Sequence, residues 1–217
     1  MVEIMHREVS PFLSNCYLVI DGKGREAALV DPGDEPDLIE RFVREAGVTV
    51  RYLLATHGHV DHVGAAAEMA RRLGLGFMLN PKDAFLLEAL PETAARFGLG
   101  PVEIPEIDRP LAHGDTLPLG DTVLEILEAP GHSPGSVLVK AGPRDLLSGD
   151  VLFAGSVGRT DLPGGDGAVL ARSVREVILP LGDEVRVYPG HGPATTIGWE
   201  RRSNPFVQAW AGGGEGA

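Results

Sequence analysis

The first third of the chain reads as strands, at residues 3–9, 16–20 and 27–30, the latter two as unbroken apolar runs. Asp21-Gly22 and Lys23-Gly24 separate two of the runs and suit tight hairpin connections. The period then changes. Over 34–46, Leu38, Ile39, Phe42, Val43 and Ala46 fall on one face of a helix, and Gly47 stands just past its end. Residues 51–55 form a short apolar strand that runs directly into Thr56-His57-Gly58-His59-Val60-Asp61-His62, after which 64–73 reads as a helix stopped by Gly74.

The middle of the chain is mixed. Residues 77–80 predict a strand and 82–90 a short helix, whereas 91–107 predict a looser segment with proline and glycine, a candidate cover for a site. Strand patterns return at 122–128, 136–139 and 145–147. A glycine-rich loop over 150–167 follows, then a helix at 169–179, a strand at 184–188, and a final loop opened by Pro189-Gly190-His191-Gly192. The tail 211–217 predicts disorder. Strands followed by a helix occur twice, with no linker and no fixed repeat. That order predicts a single domain over 1–210, a four-layer α/β/β/α (αββα) sandwich of two packed mixed sheets.

Composition changes this picture little. With 217 residues, 43% hydrophobic and 23% charged, the chain suits one well-buried domain and has no run of 18 apolar residues. Glu3, His6 and Glu8 interrupt the N-terminal stretch where a signal peptide needs continuous apolar residues, so the expected location is the cytoplasm, with no membrane partner. Nineteen basic against 31 acidic residues give a net charge of −12, which works against nucleic acid as a partner. The single cysteine, Cys16, rules out an internal disulfide or a thiolate-rich zinc site and reads as a buried strand residue.

The chemistry lies in the histidines. Of seven, three are packed with an aspartate into His57-x-His59-x-Asp61-His62. In an extended loop, side chains at i and i+2 share a side, so His57 and His59 can reach one ion while Asp61 and His62 lie beside it for a second. His132 in A-P-G-H-S-P-G-S, Asp150 in L-L-S-G-D-V-L-F and His191 in Y-P-G-H-G-P each sit where a strand runs out into a loop. Alone, each would be read as structural; beside the first cluster they read as ligands, and the two oxygens of Asp150 suit a bridge between ions. His6 and His113 lack that context. Tyr188 reads as core, and Arg201 and Arg202 in W-E-R-R-S-N-P-F as a solvated helix face.

This pattern resembles the metallo-β-lactamase superfamily. G-H-S-P-G-S, G-D-V-L-F, G-R-T-D-L-P-G-G-D and Y-P-G-H-G-P-A-T-T-I resemble its small glyoxalase II-like (hydroxyacylglutathione hydrolase-like) branch, over residues 2–207. The resemblance implies a first ion on His57, His59 and His132, a second on Asp61, His62 and His191, and Asp150 bridging both. Two divalent cations are expected, zinc foremost, with iron or manganese as alternatives. True β-lactamases have fewer histidines and often a cysteine ligand, so β-lactam hydrolysis is disfavoured. The segment after His191 is shorter than the C-terminal helical domain with which full-length glyoxalase II holds glutathione.

The implied activity is hydrolysis of a small-molecule thioester, with Asp61 and Asp150 as the catalytic carboxylates. Arg159, in G-R-T-D, is the candidate contact for a substrate carboxylate; the competing reading pairs it with Asp161 or Asp166. A persulfide dioxygenase with a single iron on His57, His132 and Asp150 is the alternative from another reaction class. A nuclease is opposed by the charge, and a non-catalytic binding domain by the complete ligand set. The expected assembly is a monomer or homodimer.

Overall fold

In a computed structural model, which describes residues 2–23 and 25–211, the strands form two six-stranded sheets and a small ribbon. The first sheet holds β1 (Val2–Val9), β2 (Ser14–Asp21), β3 (Glu26–Val30), β4 (Thr49–Leu54), β5 (Phe77–Leu79) and β6 (Arg109–Pro110), side by side in chain order. The second contains β7 (Thr116–Leu119), β8 (Thr122–Glu128), β9 (Val137–Ala141) and β10 (Asp145–Gly149). After the ribbon of β11 (Leu152–Phe153) and β12 (Ser156–Val157), it is completed by β13 (Arg186–Pro189) and β14 (Thr195–Thr196). Its spatial order is β14-β13-β10-β9-β8-β7. Both sheets are mixed: β3 pairs in parallel with β4, and β10 with β13, while the hairpins are antiparallel.

Strand periodicity explains why these runs read as almost continuously apolar. On β2, Cys16, Leu18 and Ile20 join the outer cluster with Ile39, Phe42 and Met69, whereas Tyr17 and Val19 face the other sheet alongside Leu124, Ile126, Val137 and Val139. A third cluster packs Leu138 and Leu146 of the second sheet against Leu170, Val174, Ile178, Ile197 and Val207. Three apolar layers between four structural layers make an αββα sandwich. Each fully buried leucine here contributes roughly 1.5–3 kcal/mol. Burial pushes the Cys16 thiol well above its ordinary value, leaving it a core residue.

The outer layers are helical. On the first sheet lie α1 (Pro36–Ala46), α2 (Val60–Val63), α3 (Ala66–Leu73), α4 (Ala84–Glu88) and α5 (Leu90–Arg96). On the second lie α6 (Gly167–Ser173), α7 (Ile197–Ser203) and α8 (Pro205–Ala211). Several expectations are corrected. The loose segment from 91 begins as helix α5, because Pro91 sits in its first turn, where a missing N–H costs nothing. The expected helix over 169–179 is α6 followed by a π turn at Val174–Ile178 and a 3₁₀ turn at Leu179–Leu181 that carries Pro180. Ala211 closes α8; the rest of the predicted tail lies outside the described residues. Among the described residues, no helix is long and apolar enough to cross a membrane.

Candidate metal centre

Strand direction gathers the site. β3 and β4 are parallel, so Asp31 and the His57–His62 segment leave the first sheet at the same edge. In the second sheet β8 is antiparallel to β9, β9 to β10, and β10 parallel to β13, so His132, Asp150 and His191 also leave at one edge. Backbone hydrogen bonds from Asn15 N–H to Gly190 O (2.7 Å) and from Val137 N–H to Thr56 O (2.8 Å) join these edges across the sandwich. The seven candidate ligands predicted by the motifs converge there. One detail differs: Asp61 and His62 do not continue the extended loop but lie in α2, with His59 at its N-cap. The turn swings them onto a second centre beside the first.

Two triads result. His132 Nε2 stands 3.2 Å from His57 Nε2 and 2.9 Å from His59 Nδ1. His191 Nε2 lies 3.4 Å from His62 Nε2 and 3.1 Å from Asp61 Oδ2. Asp150 faces both, with Oδ1 3.4 Å from His62 Nε2 and Oδ2 3.5 Å from His132 Nε2 and 3.6 Å from His191 Nε2. Nitrogens ~2.1 Å from a tetrahedral ion stand about 3.4 Å apart, so this spacing fits shared coordination. Asp150 Oδ1 is moreover buried without a hydrogen-bond donor, and a buried carboxylate oxygen in that position calls for a cation. Gly190 leaves the room: a Cβ there would lie 2.1 Å from Asp150 Oδ1.

Hydrogen bonds around the triads set which nitrogen is free. A carbonyl only accepts, so His132 donates Nδ1–H to Arg159 O (2.8 Å) and His191 donates Nδ1–H to Phe12 O (3.1 Å). Thr56 donates N–H to Asp31 Oδ1 (2.6 Å) and its hydroxyl to Asp31 Oδ2 (2.9 Å), leaving the hydroxyl oxygen to accept Nδ1–H of His57 at 3.1 Å. In its neutral form each of these rings therefore presents an Nε2 lone pair inward.

The profile of the metallo-beta-lactamase superfamily matches residues 9–191. The chain belongs to that superfamily. It is 42% identical to the hydroxyacylglutathione hydrolase GloC of Haemophilus influenzae, across 93% of this chain and 96% of that protein. It is similar to TTHA1623, solved in a di-iron-bound form (42% identity, TM-score 0.84, 93% of this chain and 99% of that one). It is also similar to the BLEG-1 B3 metallo-beta-lactamase (34% identity, TM-score 0.86, 94% of this chain and 99% of that one). As a member of the superfamily, the chain carries a His/Asp site for divalent metal.

The superfamily site is electrostatically uneven here. Burial, then the neighbouring histidines, push His57 well below the ordinary imidazole range and His59 down to about 3. Burial also opposes a charged His62, but Asp61, Asp150 and Asp31 outweigh it and hold its pKa well above that range. For Asp61 burial acts upward and is overcome by His62 and His191, which hold it well below the carboxylate range. For His191 burial acts downward, but Asp61 and Asp150 together outweigh it and raise its pKa. The opening lies on this side: His191 is 28% and Asp61 17% exposed, against 0% for His62.

Two aspartates escaped the motifs. Asp31, at positive φ (57°) after β3, stands 3.1 Å from His62 Nδ1 besides holding Thr56. Asp83 has no exposure and accepts Gly58 N–H (2.9 Å), the Ser133 hydroxyl (2.7 Å) and Gly135 N–H (2.6 Å). It ties the His57–His59 loop to the His132 loop; burial raises its pKa against those bonds. The only local hint of Asp31 was Asp-Pro-Gly at a strand end; Asp83 had none. Arg159 is exposed, with its guanidinium bound to Asp161 Oδ1 and Oδ2 at 2.6 Å each. His6 and His113 stay outside the cluster: His6 packs on Tyr17, and His113 Nδ1 accepts Glu128 N–H.

Proposed function

We propose that this chain is a binuclear metal-dependent hydrolase of small-molecule thioesters. The observation that carries the reading is the carboxylate of Asp150 facing both triads, which suits two ions held as a pair. The likeness to a hydroxyacylglutathione hydrolase supports the substrate class, and a relative solved with two irons supports the stoichiometry. Bound divalent cations would polarise the acyl carbonyl and bring the pKa of water towards neutrality.

The chain's own residues do the rest. Asp61, at the open side, accepts a hydrogen from the incoming water and orients it towards the carbonyl. His57, His59 and His132 supply lone pairs. Asp31 and Asp83 hold the ligand loops so that no reorganisation is needed as charge develops. A thiolate leaves readily, so no protein acid is required at the departing sulfur. Zinc is the metal we assign, with iron or manganese able to use the same His/carboxylate set.

The likeness to a B3 metallo-beta-lactamase supplies a second reading, β-lactam hydrolysis. One experiment separates them: metal content of the as-purified chain, then hydrolysis of S-lactoylglutathione, an uncharged acyl thioester and a chromogenic cephalosporin. Two metals per chain with thioester cleavage that chelator abolishes is the expected result. Cephalosporin cleavage with both thioesters untouched overturns the proposal. One iron per chain with oxygen uptake on a persulfide moves the reaction to the dioxygenase class.

A further inference from the structure

Glu200 of α7 is a carboxylate with no exposure and no part in the triads. Its Oε2 accepts Gly155 N–H and Asn204 Nδ2–H at 2.8 Å each, and its Oε1 accepts the Thr195 hydroxyl at 2.6 Å. Asn204, equally buried, also donates Nδ2–H to Ser156 O at 2.9 Å. Glu200 of α7 and Asn204 at its C-terminal cap thus grip consecutive residues of the β11–β12 ribbon. A buried acid is costly, and an apolar side chain of the same volume would pack α7 at least as well. This acid instead meets donors from three separate segments.

The ribbon leads straight to the metal centre. Gly158 follows β12 and is so close beneath the site that a Cβ there would lie 1.8 Å from Asp150 O and 3.0 Å from His132 Nδ1. The next residue, Arg159, supplies the carbonyl that receives Nδ1–H of His132. Thr195, the third partner of Glu200, opens β14, which the loop after His191 leads into.

We propose that Glu200 is a positioning residue of the metal centre. Through Gly155 and, by way of Asn204, Ser156, it holds the ribbon that orients His132 and backs Asp150, making α7 part of the scaffold of the site. The inference rests on His132 and Asp150 acting as ligands.

The substitutions differ in what they leave behind. In Glu200→Gln the amide oxygen can still accept Gly155 and Asn204, and the amide NH₂ can donate to Thr195 Oγ1. Glu200→Met fills the volume and leaves all three donors unanswered. Glu200→Asp keeps the acid but withdraws it by one methylene. The test measures metal release from the as-purified proteins to a chromogenic chelator, with circular dichroism to establish that each variant is folded.

Glu200→Gln is expected to release metal within about twofold of the parent, and the Met and Asp variants about tenfold faster, in the range of lost ligand support. On a thioester the same two variants lose kcat with little change in KM. A folded Met or Asp variant with parental release overturns the proposal, as does a Gln variant as leaky as Met. If Met does not fold, Asp alone decides. No metal in the parent would instead sink the ligand assignment itself.

Discussion

The two triads share one six-residue motif, each completed by a histidine from the second sheet, yet they differ in kind. His57 and His132 are buried nitrogen donors and His59 a half-buried one, and burial lowers the pKa of His57 and His59. Asp61 and His191 lie at the open side beside the buried His62, in a network whose carboxylates raise the pKa of His62 and His191. The first triad is ready for a cation as folded. The second must exchange protons for one. Imidazoles of lowered pKa make a standing site, and paired acids and bases a site whose filling follows pH.

The harshest way to break the comparison is to remove the group common to both halves. Asp150→Ala is expected to lower thioester turnover by at least about 10³-fold and to reduce bound metal, read by steady-state kinetics and elemental analysis. A variant that kept its activity while losing its metal would contradict the reading at its root.

The supporting aspartates sharpen the contrast next. Asp83 ties the loops of the first triad, whereas Asp31 faces His62 of the second. Asp83→Ala should weaken the first ion about 10–100-fold, and Asp31→Ala the second by a similar factor. Resolving the two dissociation constants by cobalt titration tests this; a reversed pattern would reverse the assignment. Asp31 also holds Thr56 behind His57, so its variant should trouble the first ion to a lesser degree.

Acid separates the halves more gently. His62 keeps its proton above the ordinary imidazole range, so lowering the pH favours that proton over a cation, by about tenfold in affinity per unit for each proton displaced. His59, down at about 3, has no proton to displace above pH 5. Between pH 8 and pH 5.5, one ion should leave before the other, with a plateau near one metal per chain in samples dialysed across that range. Simultaneous loss of both ions would show that the triads do not differ in this way.

The smallest effect belongs to Arg159. Its guanidinium is already bound to Asp161 in an exposed pair, an interaction of little value in water. Arg159→Ala should change KM for a neutral thioester by less than about twofold. A much larger rise confined to an anionic substrate would free Arg159 from Asp161 and give it the carboxylate contact suggested by G-R-T-D.

Several elements were legible in the amino-acid pattern because their cause is local. β2 and β3 are short apolar runs bounded by turn residues, and α1 shows a clean apolar face stopped by Gly47, which takes the left-handed conformation at φ 62°. Other elements had no local cause to read. β6 and β14 are two residues each and exist because a neighbouring strand is there to pair with. The turn α2 was taken for extended chain because four residues carry too little periodicity to reveal a helix.

By itself, the sequence determined the chemistry of the site. Imidazole and carboxylate are what a hard or borderline cation binds, and the crowding of His57, His59, Asp61 and His62 into six residues has no simpler use. Only the tertiary structure decided how those groups differ. The donors to Asp83 come from 25 to 52 residues away, and the low pKa of His59 and the raised one of His62 depend on burial and on which charges face them. Desolvation and Coulomb interactions act through space, and separation along the chain carries no record of them until the two sheets close.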